Sequence, residues 1–508
     1  MGNSDLTKWS ATKVLAAFAD LSLTPTDYLS ACLDQIAALN PKINALTATD
    51  AENAAIEAAQ ATRRWAEGKP IGPLDGLPIG VKDLQDTKGL LTTHGNPRAR
   101  GNIPASDMPM VAQLRAAGAI MLAKTNVPEL GAGGNSRNPV WGATGNPFNP
   151  NLIAGGSSGG SAAALAADLL PLCTGSDTGG SLRLPAALCG IVGYRPSVDV
   201  VAHPTRPLGW SGISVLGPMA RTVEDLVLML KLIQSDDPND PLSIPASDKA
   251  RFETLPDVEL SDLRIGYSED FGGAPVDPEI RETFRARVAA LAPQARSCTP
   301  VDLNLGDMDR VFDILRAESF VAAFGQGVED TPELYGDNIK TNVALGNSFT
   351  LADRSWAHIE QTKILRNFNA LMEDYDVILL PTVPVSSFQW TQAHATHIDG
   401  QELDIYYRWL ALTYRGSLPG GPSITLPSGL DPHGMPFGLQ LLGPVRGDEN
   451  LLAASHAVEA FLAQTPETAR PIANVADVAA STVDLRSIVT HPPIFDGATK
   501  THAVKTAV

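Results

Sequence analysis

A chain of 508 residues with 44% hydrophobic and 19% charged residues is long enough to bury a sizeable core and too apolar to be disordered. Its 38 basic against 56 acidic residues give a formal net charge of −18, which offers no basic stripe to a phosphate backbone and disfavours nucleic-acid and anionic-membrane partners. Four widely spaced cysteines (Cys32, Cys173, Cys189, Cys298) without a CxxC pair predict reduced, mostly buried thiols in a cytoplasmic setting, with no disulfide framework or zinc site.

In chain order, the apolar stretch Val14 to Ala19 is short, closed by Asp20 and followed by no cleavage-site pattern, which argues against a signal peptide. Leu6 stands where a myristoylation signal wants Ser or Thr, so Gly2 is read as an ordinary glycine. No run reaches the roughly 18 apolar residues of a membrane-spanning helix, and no membrane association is expected. Thr24 and Pro25 supply an N-cap and an N1 proline to a helix striped by Leu29, Cys32, Leu33, Ile36 and Leu39, which Pro41 is expected to stop. An Ala-rich helix from about Ala51 to Trp65 follows, ending near Gly68, so that residues 1–70 read as a helical cover.

From Gly72 the texture changes to short apolar runs punctuated by glycine: Leu77 to Val81, Ala119 to Ala123, Leu169 to Thr174, Leu263 to Tyr267, Val377 to Leu380, Ile424 to Leu426 and Phe437 to Leu442. They alternate with helical stretches such as Met110 to Ala117, Ser161 to Ala167 and Val223 to Ile233. This predicts an α/β fold, a large twisted mixed β-sheet flanked by helices on both faces. Ser235 to Pro256 is polar and proline-bearing, as a surface excursion would be, and the segment after about Thr465 reads as a C-terminal tail.

The chemically informative segment is Ala154-Gly-Gly-Ser-Ser-Gly-Gly-Ser161, then an Ala-rich helix, then Gly175-Ser-Asp-Thr-Gly-Gly-Ser-Leu-Arg183. Glycines flanking a serine let the backbone approach a substrate and aim its amide hydrogens at one point, and a helix N-terminus adds a field that favours negative charge. A flexible linker does not fit, because an apolar helix and strand lie between the two clusters. A phosphate-binding loop does not fit either, since no lysine follows the glycines and the GxGxxG spacing is absent. A serine hydrolase remains. Gly155-x-Ser157-x-Gly159 and Gly156-x-Ser158-x-Gly160 both match a nucleophile elbow, yet Asn146 to Pro150 upstream makes a poor strand. None of His203, His358, His394, His397 or His433 is singled out as a base, and His394-x-x-His397 lacks the carboxylate partner of a metal site.

The base is therefore sought in Lys82, which ends the apolar run Gly76-Leu-Pro-Ile-Gly-Val-Lys82. A buried ammonium is costly unless paired, and burial lowers a lysine pKa by as much as roughly 3 to 5 units, which makes the amine a usable base near neutrality. A simple salt bridge to Asp83 is disfavoured, because strand neighbours point to opposite faces. The SxxK match at Ser10 to Lys13 lies in the helical cover and is read as chance.

GLPIGVKD at 76–83, GNPFNP at 145–150, AGGSSGGSAAA at 154–164, GSDTGGSLRLPAALCGIVGYRPS at 175–197, GPMARTVEDL at 217–226 and GMPFGLQLLGP at 434–444 together closely resemble the amidase signature family, over roughly residues 10 to 465. The resemblance implies a single amidase domain under the N-terminal cover: a signature core at 71–235, a remainder with a variable substrate-side region at 236–465, and an extension at 466–508. It implies a Ser-cisSer-Lys triad, with Ser181 as nucleophile, Ser157 as bridging serine after a cis peptide, and Lys82 as base. It further implies an oxyanion hole from the backbone amides of Thr178, Gly179, Gly180 and Ser181, support for the loop from Ser158, Asp177 and Arg183, and a substrate-lining strip at Gly131, Ala132, Gly133 and Gly134. Ala154 stands where the family often has proline, which touches loop stiffness more than chemistry.

The implied activity is hydrolysis of the C–N bond of a small-molecule carboxylic amide, with esters and carbamates as further candidates. No cofactor and no metal are implied, and a homodimer is left open. The alternative within the same resemblance is the glutaminase-type subunit of a tRNA-dependent amidotransferase, although Arg310 to Tyr375 carries no stretch matching that subunit's glutamine-recognition pattern. Phe320, Phe324, Tyr335, Trp356, Trp390 and Tyr406 are candidates for pocket or core alike. The small residues at 131–134 suggest room for a bulky or aromatic group beside the nucleophile.

Overall fold

In the computed structural model, which describes residues 3–243 and 251–495, the glycine-punctuated apolar runs become strands of one eleven-stranded sheet. The strands are β1 (Leu46–Thr49), β2 (Pro78–Lys82), β3 (Ile120–Thr125), β4 (Leu172–Asp177), β5 (Val192–Arg195), β6 (Val215–Ala220), β7 (Arg264–Tyr267), β8 (Ser297–Pro300), β9 (Val377–Pro381), β10 (Ser423–Leu430) and β11 (Pro436–Leu442). Their spatial order is β1-β3-β2-β4-β6-β5-β10-β11-β9-β7-β8. The pairs β2/β3, β2/β4, β7/β9 and β7/β8 are parallel and the others antiparallel, so the sheet is mixed.

Every residue of β2, β3, β6, β9 and β11 is buried, which is why these strands read as continuous apolar runs and not as alternating ones. Leu172 and Cys173, neighbours in β4, belong to different core clusters, as do Met121 and Leu122 in β3. Since successive strand side chains point to opposite faces, the two clusters are the two faces of the sheet, each roofed by helices. Helix α1 (Pro25–Ile43) and α2 (Ala51–Ala66) belong to the N-terminal cover, while α3 (Gly159–Ala166) lies against β2 and β4, and α4 (Arg183–Cys189) against β5, β10 and β11. The helix predicted at Val223 to Ile233 has those bounds.

Four local expectations are corrected. Pro41 does not stop α1, which runs on to Ile43: the proline forfeits one hydrogen bond in the last turn, and the helix ends where Asn44 turns left-handed (φ 48°) and donates its side-chain amide to the Trp141 and Ala143 carbonyls. The N-terminal cover is not purely helical, because β1 pairs with β3 at the sheet edge. Asn149–Ile153 does form a strand, but it pairs with Gly145–Asn146 in a ribbon outside the main sheet. Leu169 to Leu170 precede β4, which starts at Leu172 and extends to Asp177.

The polar stretch Ser235 to Pro256 falls partly outside the described residues, at 244–250. The C-terminal segment wraps the body as far as residue 495. Val475–Ala480 is a helix against α1, Leu485 accepts from the Ala143 N–H at 2.8 Å, and the Ile494 N–H donates to the Arg100 carbonyl at 2.8 Å. Among the described residues no helix is long and apolar enough to cross a membrane, and the four cysteines are free, three of them buried.

The tightest joint beneath the glycine-serine turns is Gly160, whose missing side chain would stand 2.6 Å from the Ala45 carbonyl oxygen and 2.7 Å from that of Asn126. Gly160→Ala should therefore destabilise the fold by about 1–3 kcal/mol, read as a lower urea midpoint at unchanged m-value.

Candidate active site

The register that sets Gly80 opposite Cys173 carries the end of β2 alongside the end of β4, and because the two strands are parallel both deliver their last side chains to the same edge of the sheet. Lys82 is thereby placed beside Ser176 and Asp177. Lys82 is fully buried, with Nζ 2.7 Å from Ser157 Oγ, 2.7 Å from Ser158 Oγ and 2.9 Å from Ser176 Oγ. Burial pushes its pKa down to about 7, and the Asp177 charge, which acts in the opposite sense, does not restore it. Asp83 is not its partner: it accepts from the Thr93 N–H at 3.1 Å and the Thr93 hydroxyl at 2.6 Å. A neutral amine has two donors and one lone pair, so with three hydroxyls in reach it donates to two and accepts from the third.

The first glycine-serine turn leaves the Asn149–Ile153 ribbon and enters α3 at Gly159. Gly155 sits at φ +80°, and a Cβ there would stand 2.7 Å from the Pro185 backbone. The Gly156–Ser157 peptide is cis. The second turn follows β4, and the two are joined by the Ser158 N–H, which donates to the Ser181 carbonyl at 3.3 Å. Ser157, Ser176, Thr178 and Ser181 line one cavity of about 230 Å³. Among the described residues no hydrogen bond joins the Ser157 and Ser181 hydroxyls, so of the links implied for a relay the structure presents the lysine-to-serine one.

Asp177 organises the second turn. Its carboxylate accepts from Arg183 Nε (3.0 Å) and Nη2 (2.9 Å), from Arg195 Nη1 (3.3 Å), and from the N–H groups of Gly180 (2.8 Å) and Leu182 (3.1 Å). Burial alone would raise the Asp177 pKa, but the two guanidiniums and these donors outweigh it and hold the carboxyl well below the usual range. Arg183 reaches on to the Thr413 carbonyl, Gln440 and Ser417, tying the turn to the helix Ala411–Ser417 and to β11. With Gly180 N–H committed to Asp177, no hydrogen bond among the described residues claims the N–H groups of Thr178, Gly179 or Ser181. Glycine is required at both positions: a Cβ at 179 would stand 2.7 Å from the Phe312 ring, and one at Gly180 (φ +122°) would overlap Thr413.

Of the strip at 131–134, Gly131 lines the cavity, 2.8 Å (as a Cβ) from Leu84. Ala132 and Gly133 line a neighbouring cavity, and Gly134 is packed against the Trp409 ring. Among the candidate aromatics, Phe320 and Phe324 line the serine cavity and Tyr335 the neighbouring one. Trp356 lies under the Arg310 guanidinium at 4.3 Å, Trp390 is buried in a separate cluster, and the Tyr406 hydroxyl accepts from Arg316 at 2.7 Å.

The sequence profile of the amidase family matches residues 27–452. The chain belongs to the amidase signature family. It is a hydrolase of that family, acting on amides. An acylamidase of Rhodococcus erythropolis is 32% identical over 454 residues, covering 89% of this chain and 95% of that one. The glutamyl-tRNA(Gln) amidotransferase of Salinispora arenicola contains a chain that is also 32% identical, over 90% of this chain and 98% of its own. The solved structure of a bacterial aryl acylamidase of the amidase signature family superposes with TM-score 0.84 at 26% identity, covering 94% of this chain and 99% of that one.

Three residues that line the amidase cavity escape the sequence reading: His203, Arg206 and Arg316. His203 is one of several histidines with nothing in their neighbours to separate them, and no spacing brings the loop at 203–206 to a position within the helix Met308–Asp330. Asp177→Asn would leave Arg183 and Arg195 buried without their counter-charge, and is expected to cost about 3–5 kcal/mol, seen as a fall in melting temperature together with lost hydrolysis.

Proposed function

We propose that this chain is a free-standing amidase in which Ser181 attacks the substrate carbonyl, Ser157 relays the proton and Lys82 receives it. The observation that carries the reading is Lys82: a fully buried amine with no ion-pair partner among the described residues, in hydrogen-bond contact with Ser157 at the wall of the cavity that also holds Ser181. In this reading the Ser157 hydroxyl donates to the Lys82 lone pair and accepts from Ser181, a contact that tightens as the acyl carbon is engaged. The Ser181 Oγ–C bond forms and the carbonyl oxygen becomes an oxyanion facing the free N–H groups of Thr178, Gly179 and Ser181. Gly180 serves indirectly, through its bond to Asp177. Each oxyanion donor is worth about 3–4 kcal/mol. As the C–N bond breaks, the proton on Lys82 returns through Ser157 to the leaving amine, and water releases the acyl group by the reverse path. Ser158 and Ser176 hold Nζ on its other sides.

The amidotransferase reading has relatives at the same 32% identity in its favour. Against it stands the cavity: glutamine brings an α-ammonium, and none of the residues lining the cavity is Asp or Glu. Glutamine hydrolysis dependent on added companion subunits would decide for it.

Ser181→Ala should abolish turnover of simple amides, and a sulfonyl fluoride should leave a mass adduct on Ser181 alone; an adduct on another serine, or full turnover by the variant, refutes the assignment. Because the neutral amine is the competent form, kcat/KM should rise with pH, reach half its plateau at about 7 and flatten above. Lys82→Ala should lower kcat/KM by roughly 10²–10⁴-fold at neutral pH and lose that limb.

A further inference from the structure

We infer that the substrate of this site ends in a carboxylate, which is taken up by Arg206 and Arg316 in the wall of the Ser181 cavity. The inference rests on the amidase reading for the identity of the reacting bond, but its own evidence lies in other residues of the same cavity lining. In a chain of net charge −18, the residues lining this cavity include two arginines and a histidine and no Asp or Glu.

Arg206 is 7% exposed and held by one nitrogen only: Nη1 donates to Asp240 at 3.1 Å and to the Gly209 carbonyl at 3.2 Å. Its Nε and Nη2 are buried and have no partner among the described residues. Those two atoms form the edge on which a guanidinium presents parallel N–H groups to a carboxylate. The chain uses the same edge elsewhere, with Arg183 gripping Asp177 at 3.0 and 2.9 Å and Arg285 gripping Glu269 at 2.6 and 2.7 Å. Arg195 and Arg206 both leave that edge over, and of the two only Arg206 lines the serine cavity.

Arg316, also 7% exposed, makes no ion pair among the described residues. Its guanidinium sits between aromatic rings, 4.7 Å from the Phe320 centroid and 5.0 Å from that of Tyr407, and donates from Nη2 to the Tyr406 hydroxyl, while Nε has no partner. Ring faces attract a cation without neutralising it, and Asp313, which reaches the other side of Tyr407, is engaged by Arg408 and the Tyr407 hydroxyl, so Arg316 has no carboxylate in direct contact. Asp240 already pairs with Arg206 through Nη1, so an added carboxylate would meet its free edge and the unpaired guanidinium of Arg316. His203 adds an unpaired Nδ1 but no charge, since burial and the neighbouring Arg206 push its pKa down to about 4. The lining also carries apolar side chains, Leu84, Met108, Leu130, Phe320 and Phe324 among them. The ligand that satisfies all of this is an amide with an apolar body and one terminal carboxylate.

The test uses two matched pairs on the full chain: 4-acetamidobenzoate with its methyl ester, placing the acid on the amine side, and adipic acid monoamide with adipamide, placing it on the acyl side. Calorimetric binding to the Ser181→Ala protein reads recognition without turnover. The charged member of at least one pair should bind about tenfold to a hundredfold more tightly than its neutral partner. That preference should fall at least about tenfold in Arg316→Gln and in Arg206→Gln, and Arg316→Lys, which keeps the charge, should restore part of it. Equal binding within both pairs, or a preference that neither glutamine variant weakens, overturns the proposal; the wild-type preference itself decides if a variant fails to fold. Sulfonyl labelling of Ser181 in wild-type protein is scored separately, so that loss of the nucleophile assignment and loss of carboxylate recognition are distinct results.

Discussion

A single carboxylate, buried and shared between two guanidiniums, fixes the geometry on which the site depends. Asp177 accepts five hydrogen bonds, two from Arg183 and one each from Arg195 and the N–H groups of Gly180 and Leu182, and each has a local consequence. The two backbone bonds curl the chain after β4 so that Ser181 returns toward Ser157. The arginine bonds anchor that curl to β5 through Arg195, and to the helix Ala411–Ser417 and β11 through the reach of Arg183 to Ser417 and Gln440. Because the three side chains are wholly buried, the cluster has few alternative arrangements, and the rigidity of the turn follows from the cost of leaving any one of them unpaired.

The same carboxylate acts on Lys82 at longer range, where it opposes the dominant effect. Desolvation favours the neutral amine and the Asp177 charge favours the ammonium; desolvation wins, and the pKa settles at about 7. Were Asp177 to bond Lys82 directly, the amine would be held as a cation. The arginines prevent this by occupying the carboxylate. The site thus separates two demands that a buried ionisable cluster usually confounds: an anion kept charged by cations, and an amine whose charged form burial disfavours, held by the hydroxyls of Ser157, Ser158 and Ser176.

How much of this was legible in the residues follows from which signals are local. The buried lysine could be read because a charged residue ending an all-apolar strand is physically anomalous, and the glycine-serine turns because paired glycines mark close backbone approach. Both are properties of contiguous sequence. The strands were legible as apolar runs, since burial on both faces removes alternation, yet β1 was missed because four residues at a sheet edge, inside a helical context, leave too short a pattern. Pro41 misled because a proline in a last helical turn sacrifices only one bond. The commitment of the Gly180 N–H to Asp177, and the separation of Gly131 from Ala132 and Gly133 into different cavities, depend on turn geometry that identity alone does not encode. His203, Arg206 and Arg316 were out of reach for a plainer reason: more than a hundred positions separate the loop from the helix, and only the tertiary fold makes them neighbours.

Net charge and cavity charge answer different questions. An excess of 18 acidic residues sets the far field of the molecule. A small anion that enters an enclosed cavity leaves that field behind within about a Debye length, roughly 8–10 Å at physiological salt, and meets the lining instead. There the low local dielectric magnifies two guanidiniums far beyond their share of the composition, and the absence of any acid in the lining leaves nothing to cancel Arg316. An acidic exterior around a cavity lined by arginines is therefore no contradiction: net charge describes the surface, and the lining describes the cavity.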